Sequence, residues 1–352
     1  MNGKKVLVTG PTGNLGLPLV RALAPHNEVW GVARFSDPER VAELEALGVR
    51  CVRKDLAAVG ARAGNAGATP NAATFDDLPG DFDCVFHGAS LIPMESERDM
   101  ATTFAVNTQA TARLFSHCRN TGTFVFCSTA GVYRHQPRPL LEADEYGADV
   151  PAYALSKISA EQMVLYLSGL WNTPAVILRI GALYGPDGGS GGAFAPIERM
   201  VQGKEIWVNP TEPRGVSLLW EDDAVRLAIR ALEAGHVPPV IVNFCGDEQV
   251  SVEEYCTHAG ELLGLIPRFR YTEQTYPANP MDTTVMHDVL GRCEVGWRQG
   301  IAEAVARRYP GRLDLAAPGA TAHPGSTAEA AEETQDTETT EDTEEQSIGL
   351  QA

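Results

Sequence analysis

The sequence predicts an α/β fold with a doubly wound parallel sheet of about seven strands. Apolar runs of strand length alternate with helical patterns, and most runs are continuous, which is typical of parallel strands buried on both faces. The predicted strands span residues 6–9, 29–33, 50–52, 84–87, 124–127, 175–178 and 240–244. The predicted helices span residues 15–23, 38–47, 100–118, 153–168 and 222–234. Repeated strand–helix units of this kind build a doubly wound sheet.

A glycine-rich turn, from Thr9 to Gly16, joins the first predicted strand to the first predicted helix. Gly10 permits a tight turn, Gly13 lets the backbone approach a pyrophosphate, and Gly16 lets helix and strand pack closely. The free N–H groups and the dipole of the helix N-terminus favour phosphate binding. The sheet is therefore predicted to be of the Rossmann type. The candidate cofactor-binding residues of this turn are Gly10, Thr12, Gly13, Asn14, Leu15 and Gly16.

Tyr153 and Lys157 are spaced by four residues, which places them on one face of a helix. Pro151 is suited to a helix start, so Tyr153 is expected in the first helical turn. A nearby ammonium and a helix N-terminus both favour phenolate, and we therefore expect the pKa of Tyr153 to be lowered. A tyrosine tuned in this way can exchange a proton with a substrate oxygen near neutral pH.

Together these motifs resemble those of the extended short-chain dehydrogenase/reductases, also called the NAD-dependent epimerase/dehydratase family. The resemblance runs from about Lys4 to about Tyr309. Further matching segments, in the family's order, are 55–56, 86–90, 107–111, 126–133, 179–186, 220–224 and 290–297. The resemblance implies that Asp55 and Leu56 contact adenine and that Ala89 and Ser90 lie beneath the cofactor.

The expected mechanism is hydride exchange between a nicotinamide and a substrate carbon. Tyr153 moves the proton on the substrate oxygen, and Lys157 holds the nicotinamide ribose. The hydroxyl of Thr129 positions the same oxygen, with Ser128 as the alternative for that role. By the resemblance, Asn107 supports a water linked to Lys157; alternatively, it is a polar helix residue that binds backbone.

The end of the second predicted strand favours NADP over NAD. Ala33 and Arg34 offer no carboxylate for the ribose hydroxyls of NAD, and Arg34 can give a planar donor fork to a 2′-phosphate. Two alternatives stay open at this point: Arg34 merely stacks on adenine, or Asp37 reaches back to the ribose.

The reaction predicted is net oxidation or reduction at a secondary alcohol or ketone carbon. By the resemblance, 4,6-dehydratases carry an Asp-Glu pair directly after the hydroxyl residue. In this chain Ala130 and Gly131 stand at that place, and neither can act as an acid or a base. Nucleotide-sugar epimerases of the family commonly carry an asparagine at the position of Ala182. They also carry an arginine, and Arg214 lies one residue away from the position of that arginine. An epimerase with tightly held NAD is the alternative, and a cofactor-binding regulator without turnover is the second alternative.

Further candidate substrate residues are Met94, Tyr184 and Arg214. Met94 belongs to an apolar segment that lines the cleft or belongs to the core, and Tyr184 is either a substrate contact or a core aromatic residue. The predicted organisation is a body of residues 1–312, with a substrate lobe built mainly from 182–220 and 245–300. The segment 57–79, rich in Gly, Ala and Asn, is predicted to be a long loop on the adenine side.

The formal net charge of −18 is concentrated at the C-terminus. Residues 313–352 hold ten acidic residues and no Lys or Arg, which leaves 36 acidic and 28 basic residues in the body. Such a segment cannot bury enough apolar surface to fold, so it is predicted to be a disordered tail. The acidic balance argues against nucleic acid as a partner.

Membrane, metal and disulfide chemistry are not expected either. No apolar stretch reaches membrane-spanning length, and the histidines lack metal-ligand spacing. Seven cysteines form no Cys-x-x-Cys pair, which fits a reducing, cytoplasmic compartment. The expected partners are a small-molecule substrate and a second copy of the chain, in a homodimer.

Overall fold

A computed structural model describes residues 1–60, 74–186, 192–212, 214–275, 278 and 280–313. From residue 314 onwards the predicted acidic tail lies outside these ranges, as do residues 61–73 of the predicted loop. The start of that loop differs from the prediction, whereas residues 74–79 contain no helix or strand. Leu56–Gly60 is helical, because the Asp55 carboxylate accepts the Ala57 N–H at 2.9 Å and starts the turn.

The strands of the described residues follow the predicted order and extend it. They are β1 Lys5–Thr9, β2 Glu28–Ala33, β3 Arg50–Arg53, β4 Cys84–His87, β5 Thr123–Thr129, β6 Ala175–Ile180, β7 Ala182–Tyr184, β8 Ile206–Val208, β9 Gly215–Trp220, β10 Val240–Phe244, β11 Gln249–Ser251 and β12 Phe269–Tyr271.

The helices of the same ranges alternate with these strands. They are α1 Gly16–Leu23, α2 Pro38–Ala46, α3 Leu56–Gly60, α4 Pro93–Ser96, α5 Met100–Phe104, α6 Ala110–His117, α7 Ala152–Trp171, α8 Ala195–Val201, α9 Glu221–Ala231, α10 Val252–Leu263, α11 Thr284–Val289, α12 Trp297–Arg308 and α13 Pro310–Leu313.

Within the described ranges, seven strands form one parallel sheet in the order β3-β2-β1-β4-β5-β6-β10. Alternate residues of β1 point to opposite faces: Val6 and Val8 pack in one buried apolar cluster, and Leu7 packs in the other. The first cluster includes residues of α1 and α9, and the second includes residues of α6 and α7. Helices therefore cover both faces, and the fold is a Rossmann-type α/β fold, as predicted.

The later segments build a smaller apolar cluster beside the sheet. A three-stranded sheet, β11-β9-β7, and the pair β12-β8 carry this cluster together with α8, α10 and α12. Its largest members include Phe194, Trp220 and Tyr255. The predicted boundaries of a substrate lobe, 182–220 and 245–300, stay a proposal, and α12 continues the cluster beyond them.

One predicted helix is interrupted in a way that affects the site. The segment 100–118 runs through α5, a π-helical turn at Ala105–Gln109, and α6. Such π-turns occur frequently at functional sites. Asn107 lies within this turn and is buried.

Candidate active site

The site lies at the carboxyl ends of the parallel strands, where ligands bind in sheets of this kind. The chain order changes direction between β1 and β4, which are neighbours in the sheet. The glycine-rich turn follows β1, and residues 88–90 follow β4. The two segments touch, since a Cβ on Gly10 would lie 3.0 Å from the Ala89 nitrogen.

The glycine positions form a cradle that only small residues can line. Gly10 has a φ of +70°, which L-residues with a Cβ rarely adopt. A Cβ on Gly16 would lie 2.0 Å from the Gly10 carbonyl oxygen, and one on Gly13 would lie 3.3 Å from it. α1 begins at Gly16, so the positive end of its dipole lies at this turn. The cradle fits the pyrophosphate of a dinucleotide.

His87, at the end of β4, joins the two segments from below. Thr111 Oγ1 donates to the Asn107 carbonyl at 2.7 Å, so His87 Nε2, also at 2.7 Å, must donate to Thr111. His87 Nδ1 therefore accepts from Thr9 Oγ1, which in turn accepts the Ala89 N–H at 3.1 Å. Burial lowers the pKa of His87 to about 3, so the imidazole is neutral. His87 lies in the matching segment 86–90, but its linking role depends on contacts with Thr9 and Thr111, which are distant in the sequence.

Tyr153 lies in the first turn of α7 and lines a cavity of 440 Å³ together with Thr129. Burial raises the pKa of Tyr153 to about 12, although hydrogen bonding with Thr129 and Ser90 opposes the rise. The expected lowering of this pKa is therefore wrong. The side chain is half-buried, and the Lys157 ammonium lies 5.9 Å from the centre of its ring.

Lys157 is buried one turn further along α7. Its Nζ donates to the Cys127 carbonyl oxygen at 2.8 Å, which fixes the ammonium against the end of β5. Burial lowers the pKa of Lys157 to about 8, against the opposing effects of Cys127 and Glu161. Lys157 is thus poised to change its charge near physiological pH.

Ser128, the alternative for the hydroxyl role, lies on the wrong face of β5. Neighbouring residues of a strand point to opposite sides, and Thr129 is the one that lines the cavity. The Ser128 hydroxyl instead donates a short hydrogen bond to the buried Glu161 carboxylate. Ser128 is therefore excluded as the residue that positions the substrate oxygen.

Asn107 binds backbone groups, which is the alternative to the predicted contact with a water. Its Oδ1 accepts the Leu91 N–H at 2.8 Å, and its Nδ2 donates to Ser156 Oγ at 2.9 Å and to the Leu91 carbonyl at 3.4 Å. Asn107 thereby ties the segment after β4 to the active-site helix. Its predicted role towards a water at Lys157 stays a prediction.

The cavity extends from Thr129 and Tyr153 towards residues that follow β6 in the chain. Its lining includes Ala182, Trp207 and Arg214, and also Ala130 and Gly131 beside Thr129. Neither Ala130 nor Gly131 carries an acid or a base.

Two of the three candidate substrate residues lie outside this lining. The Tyr184 side chain is buried against Trp220, and its hydroxyl donates to the Trp297 carbonyl at 3.4 Å, so Tyr184 is a core residue. Met94 is half-buried on α4 and does not line the cavity, whereas its neighbour Pro93 does. Arg214 is the candidate that lines it.

The segments after β2 and β3 carry the residues predicted to contact the adenosine of the cofactor. Arg34 is exposed, and its carbonyl accepts from Arg53 Nη1 at 2.5 Å. Asp37 Oδ1 caps α2 by accepting the N–H groups of Glu39 and Arg40. The alternative in which Asp37 reaches the ribose is therefore not favoured, because this carboxylate already holds the helix N-terminus. Leu56 is buried, and Asp55 is exposed beside it.

The described residues contain neither a membrane-spanning helix nor a group of metal ligands. None of the helices in the described ranges is long and apolar enough to cross a membrane. Among the residues that the structure describes, no three His, Cys, Asp or Glu side chains are grouped to hold a metal ion.

The glycine cradle, the Rossmann-type sheet and the Thr129–Tyr153–Lys157 arrangement define a class of enzymes that depend on a nicotinamide dinucleotide. Residues 6–245 match the NAD dependent epimerase/dehydratase family, and the chain belongs to that family. It is therefore an enzyme, and the interpretation as a regulator without turnover is wrong.

Relatives and solved structures agree with this membership. A Bacillus subtilis (strain 168) protein described as an uncharacterized UDP-glucose epimerase, YtcB, is 27% identical over 259 residues, covering 70% of this chain and 78% of that protein. The UDP-glucuronic acid 4-epimerase of Bacillus cereus, solved with UDP-glucuronic acid and NAD, has a TM-score of 0.70 at 21% identity over 87% of this chain and 100% of that one.

A third similar structure is the UDP-N-acetylglucosamine 4-epimerase of Methanobrevibacter ruminantium M1, solved with UDP-N-acetylmuramic acid. It has a TM-score of 0.74 at 18% identity and covers 88% of this chain and 100% of that chain. At these identities the two solved structures establish a shared fold.

Proposed function

We propose that the protein is an NAD-dependent nucleotide-sugar epimerase that inverts a secondary alcohol, at carbon 4 of the hexose of a UDP-sugar. The observation that carries the proposal is one cavity that is lined by Thr129 and Tyr153 and also by the Arg214 side chain. The similar proteins named above are all described as epimerases of UDP-sugars, which supports the same substrate class. The proposal replaces the preference for a net oxidoreductase on an apolar alcohol or ketone.

The position of Arg214 weakens one of the arguments against an epimerase. It directly precedes β9, and its guanidinium bonds Glu212 at 2.8 Å and Glu253 at 3.0 Å while lining the cavity. A guanidinium gives a planar donor fork that matches the oxygens of a phosphate. The argument from Ala182 against an epimerase stands, because Ala182 lines the cavity and its side chain has no hydrogen-bonding group.

The proton chemistry belongs to Tyr153 and Thr129. In the free protein the Tyr153 phenol is protonated at neutral pH, and it lies within hydrogen-bonding reach of Thr129. NAD, when bound, supplies the acceptor and donor of the hydride. Tyr153 must first lose its own proton, a change that the positive charges of Lys157 and of the oxidised nicotinamide would favour. The phenolate then takes the proton of the sugar hydroxyl when the ketone forms and returns it afterwards, while Thr129 holds the same oxygen. A cavity of 440 Å³ offers space for a hexose to present either face.

Replacing Arg214 with Met tests this assignment through binding alone. We expect the affinity for UDP to fall by about 1.5–3 kcal/mol, the range for hydrogen bonds to charged groups, and that for uridine to change little. Isothermal titration with UDP and uridine measures both. Arg134→Met is the matched control, since Arg134 also lines the cavity but pairs with the exposed Glu145. Unchanged UDP affinity in Arg214→Met would contradict the proposed diphosphate site.

NAD is proposed as the cofactor, because similar solved structures contain it. The preference for NADP through Arg34 stays a prediction. We expect Arg34→Ala to weaken NADPH by about 1.5–3 kcal/mol and hardly to change NADH, because only a 2′-phosphate uses the guanidinium. Fluorescence titration of both cofactors against both proteins measures this. If NADPH affinity is unchanged, Arg34 does not contact the phosphate.

A homodimer is also proposed, on the basis of an apolar stripe on α7. Leu155, Met163, Tyr166 and Leu170 are exposed and project from one face of that helix. Tyr166→Glu is expected to shift the protein from dimer to monomer in sedimentation experiments, since a buried, unpaired carboxylate is costly. A native monomer would contradict the homodimer. A cytoplasmic location stays a prediction.

A further inference from the structure

Three side chains of α7, spaced by four residues, hold three consecutive residues at the end of β5. Tyr153 lines the cavity beside Thr129, whose hydroxyl affects its pKa, and Lys157 bonds the carbonyl of Cys127. Glu161 accepts the hydroxyl hydrogen of Ser128. The first two contacts involve the proposed catalytic residues. The third involves a glutamate to which neither the sequence analysis nor the proposed mechanism gives a role.

Glu161 is fully buried and its carboxylate is saturated with donors. Besides Ser128, it accepts Arg179 Nη2 at 2.8 Å, Arg179 Nε at 3.1 Å and the Tyr146 hydroxyl at 2.8 Å. The Arg179 guanidinium lies between the rings of Tyr133 and Tyr146, at 4.6 and 5.1 Å from their centres. An ion pair buried in this way tends to break even against apolar packing, so stability alone is a weak reason for it.

The backbone register explains what the pair can fix. Arg179 of β6 is the direct neighbour of Ser128 in β5, and Ser128 precedes Thr129. Glu161 therefore binds both strands on the face opposite to the cavity. Any slip of α7 along β5 would break the bond to Ser128 and move Tyr153 away from Thr129 together with it.

We propose that Glu161 is a positioning residue. Through Ser128 and Arg179 it fixes the position of α7 along β5, and it thereby keeps the Tyr153 hydroxyl next to that of Thr129. Glu161 does not touch the cavity-facing hydroxyls. Its effect reaches them through the Ser128 backbone and through the rigid helix.

A double-mutant cycle on the unfolding free energy tests the proposal without any substrate. The cycle uses Thr129→Val, Tyr153→Phe and both together, and its coupling term reports the contact between the two hydroxyls. It is measured in the native background and in a Ser128→Ala background. We expect the coupling to fall below half its native value in Ser128→Ala. Coupling of native size in that background would overturn the proposal.

Ser168→Ala is the matched control background. Ser168 is also buried, lies near the other end of α7, and donates to the Thr173 carbonyl at 2.7 Å. Both serine variants lose one buried hydrogen bond, so both should lower the melting temperature by similar amounts. Only Ser128→Ala should reduce the Thr129–Tyr153 coupling. An equal loss in Ser168→Ala would show a general softening of the helix and overturn the specific role of Glu161.

A second background removes the ion pair itself, independently of Ser128. Glu161→Leu combined with Arg179→Met replaces the ion pair with apolar side chains of similar volume, a change that proteins often tolerate. If this variant folds cooperatively, the coupling should again fall below half. Retained coupling in it would overturn the proposal. These outcomes are read from unfolding, so they are separate from the success or failure of the proposed epimerase activity.

Discussion

Replacing Tyr153 with Phe is expected to lower turnover by about 10²–10⁴-fold, the usual contribution of a positioned acid–base group. The phenol lines the cavity beside Thr129, and its aromatic ring is kept in the variant. Cofactor affinity should therefore remain close to the native value. Steady-state kinetics and a cofactor titration on the same preparation separate the two effects.

Thr129→Val is the companion variant, because it removes the other hydroxyl at the same oxygen. Its effect on turnover should be smaller than that of Tyr153→Phe, since a hydrogen bond is lost and not the proton carrier. Turnover of Tyr153→Phe within a few-fold of the native protein would remove Tyr153 from the mechanism.

Replacing Lys157 with Met is expected to reduce both turnover and cofactor affinity. The Met side chain fills a similar volume, so the buried site should stay packed. The ammonium proposed to hold the nicotinamide ribose is lost, which should weaken NAD by about 1.5–3 kcal/mol. Calorimetry with NAD checks the affinity, and native affinity in the variant would place the ribose away from Lys157.

The charge of Lys157 also predicts that NAD affinity depends on pH. The pKa of Lys157 is lowered to about 8, so the ammonium is present below that pH and is lost as the pH rises through it. NAD affinity of the native protein should therefore fall with rising pH around 8, and that of Lys157→Met should stay flat. Titrations across this range measure the difference. A parallel decline in both proteins would assign the effect to another group.

The sequence was sufficient for the central sheet because buried parallel strands are continuous apolar runs. The strands at 84–87 and 240–244 have the predicted bounds. Four others differ by one or two residues at one end, and β5 is longer than predicted at both ends. The short strands of the smaller sheets, such as Ala182–Tyr184 and Ile206–Val208, were not predicted. Three residues do not establish a periodicity, and tertiary packing decides their conformation.

The sequence pattern also placed Thr129, Tyr153 and Lys157 together, since one helix face and one strand end fix their geometry. It could not give the pKa of Tyr153, because burial depends on the whole fold and outweighs the local charges. Which of Ser128 and Thr129 faces the cavity depends on the register of β5 against α7. Arg214 was judged by its offset in the sequence, whereas its place in the cavity is set by the start of β9.

The most direct test of the proposed epimerase is to incubate the purified protein with UDP-glucose, UDP-glucuronic acid or UDP-N-acetylglucosamine and to follow the sugar by NMR. The proposal predicts that at least one of them is converted to its 4-epimer, that deuterium placed on carbon 4 is retained there, and that no reduced nicotinamide accumulates in the near-ultraviolet absorbance. A ketone product that accumulates in step with reduced nicotinamide, or no conversion of any UDP-hexose alongside turnover of a simple secondary alcohol, would contradict it.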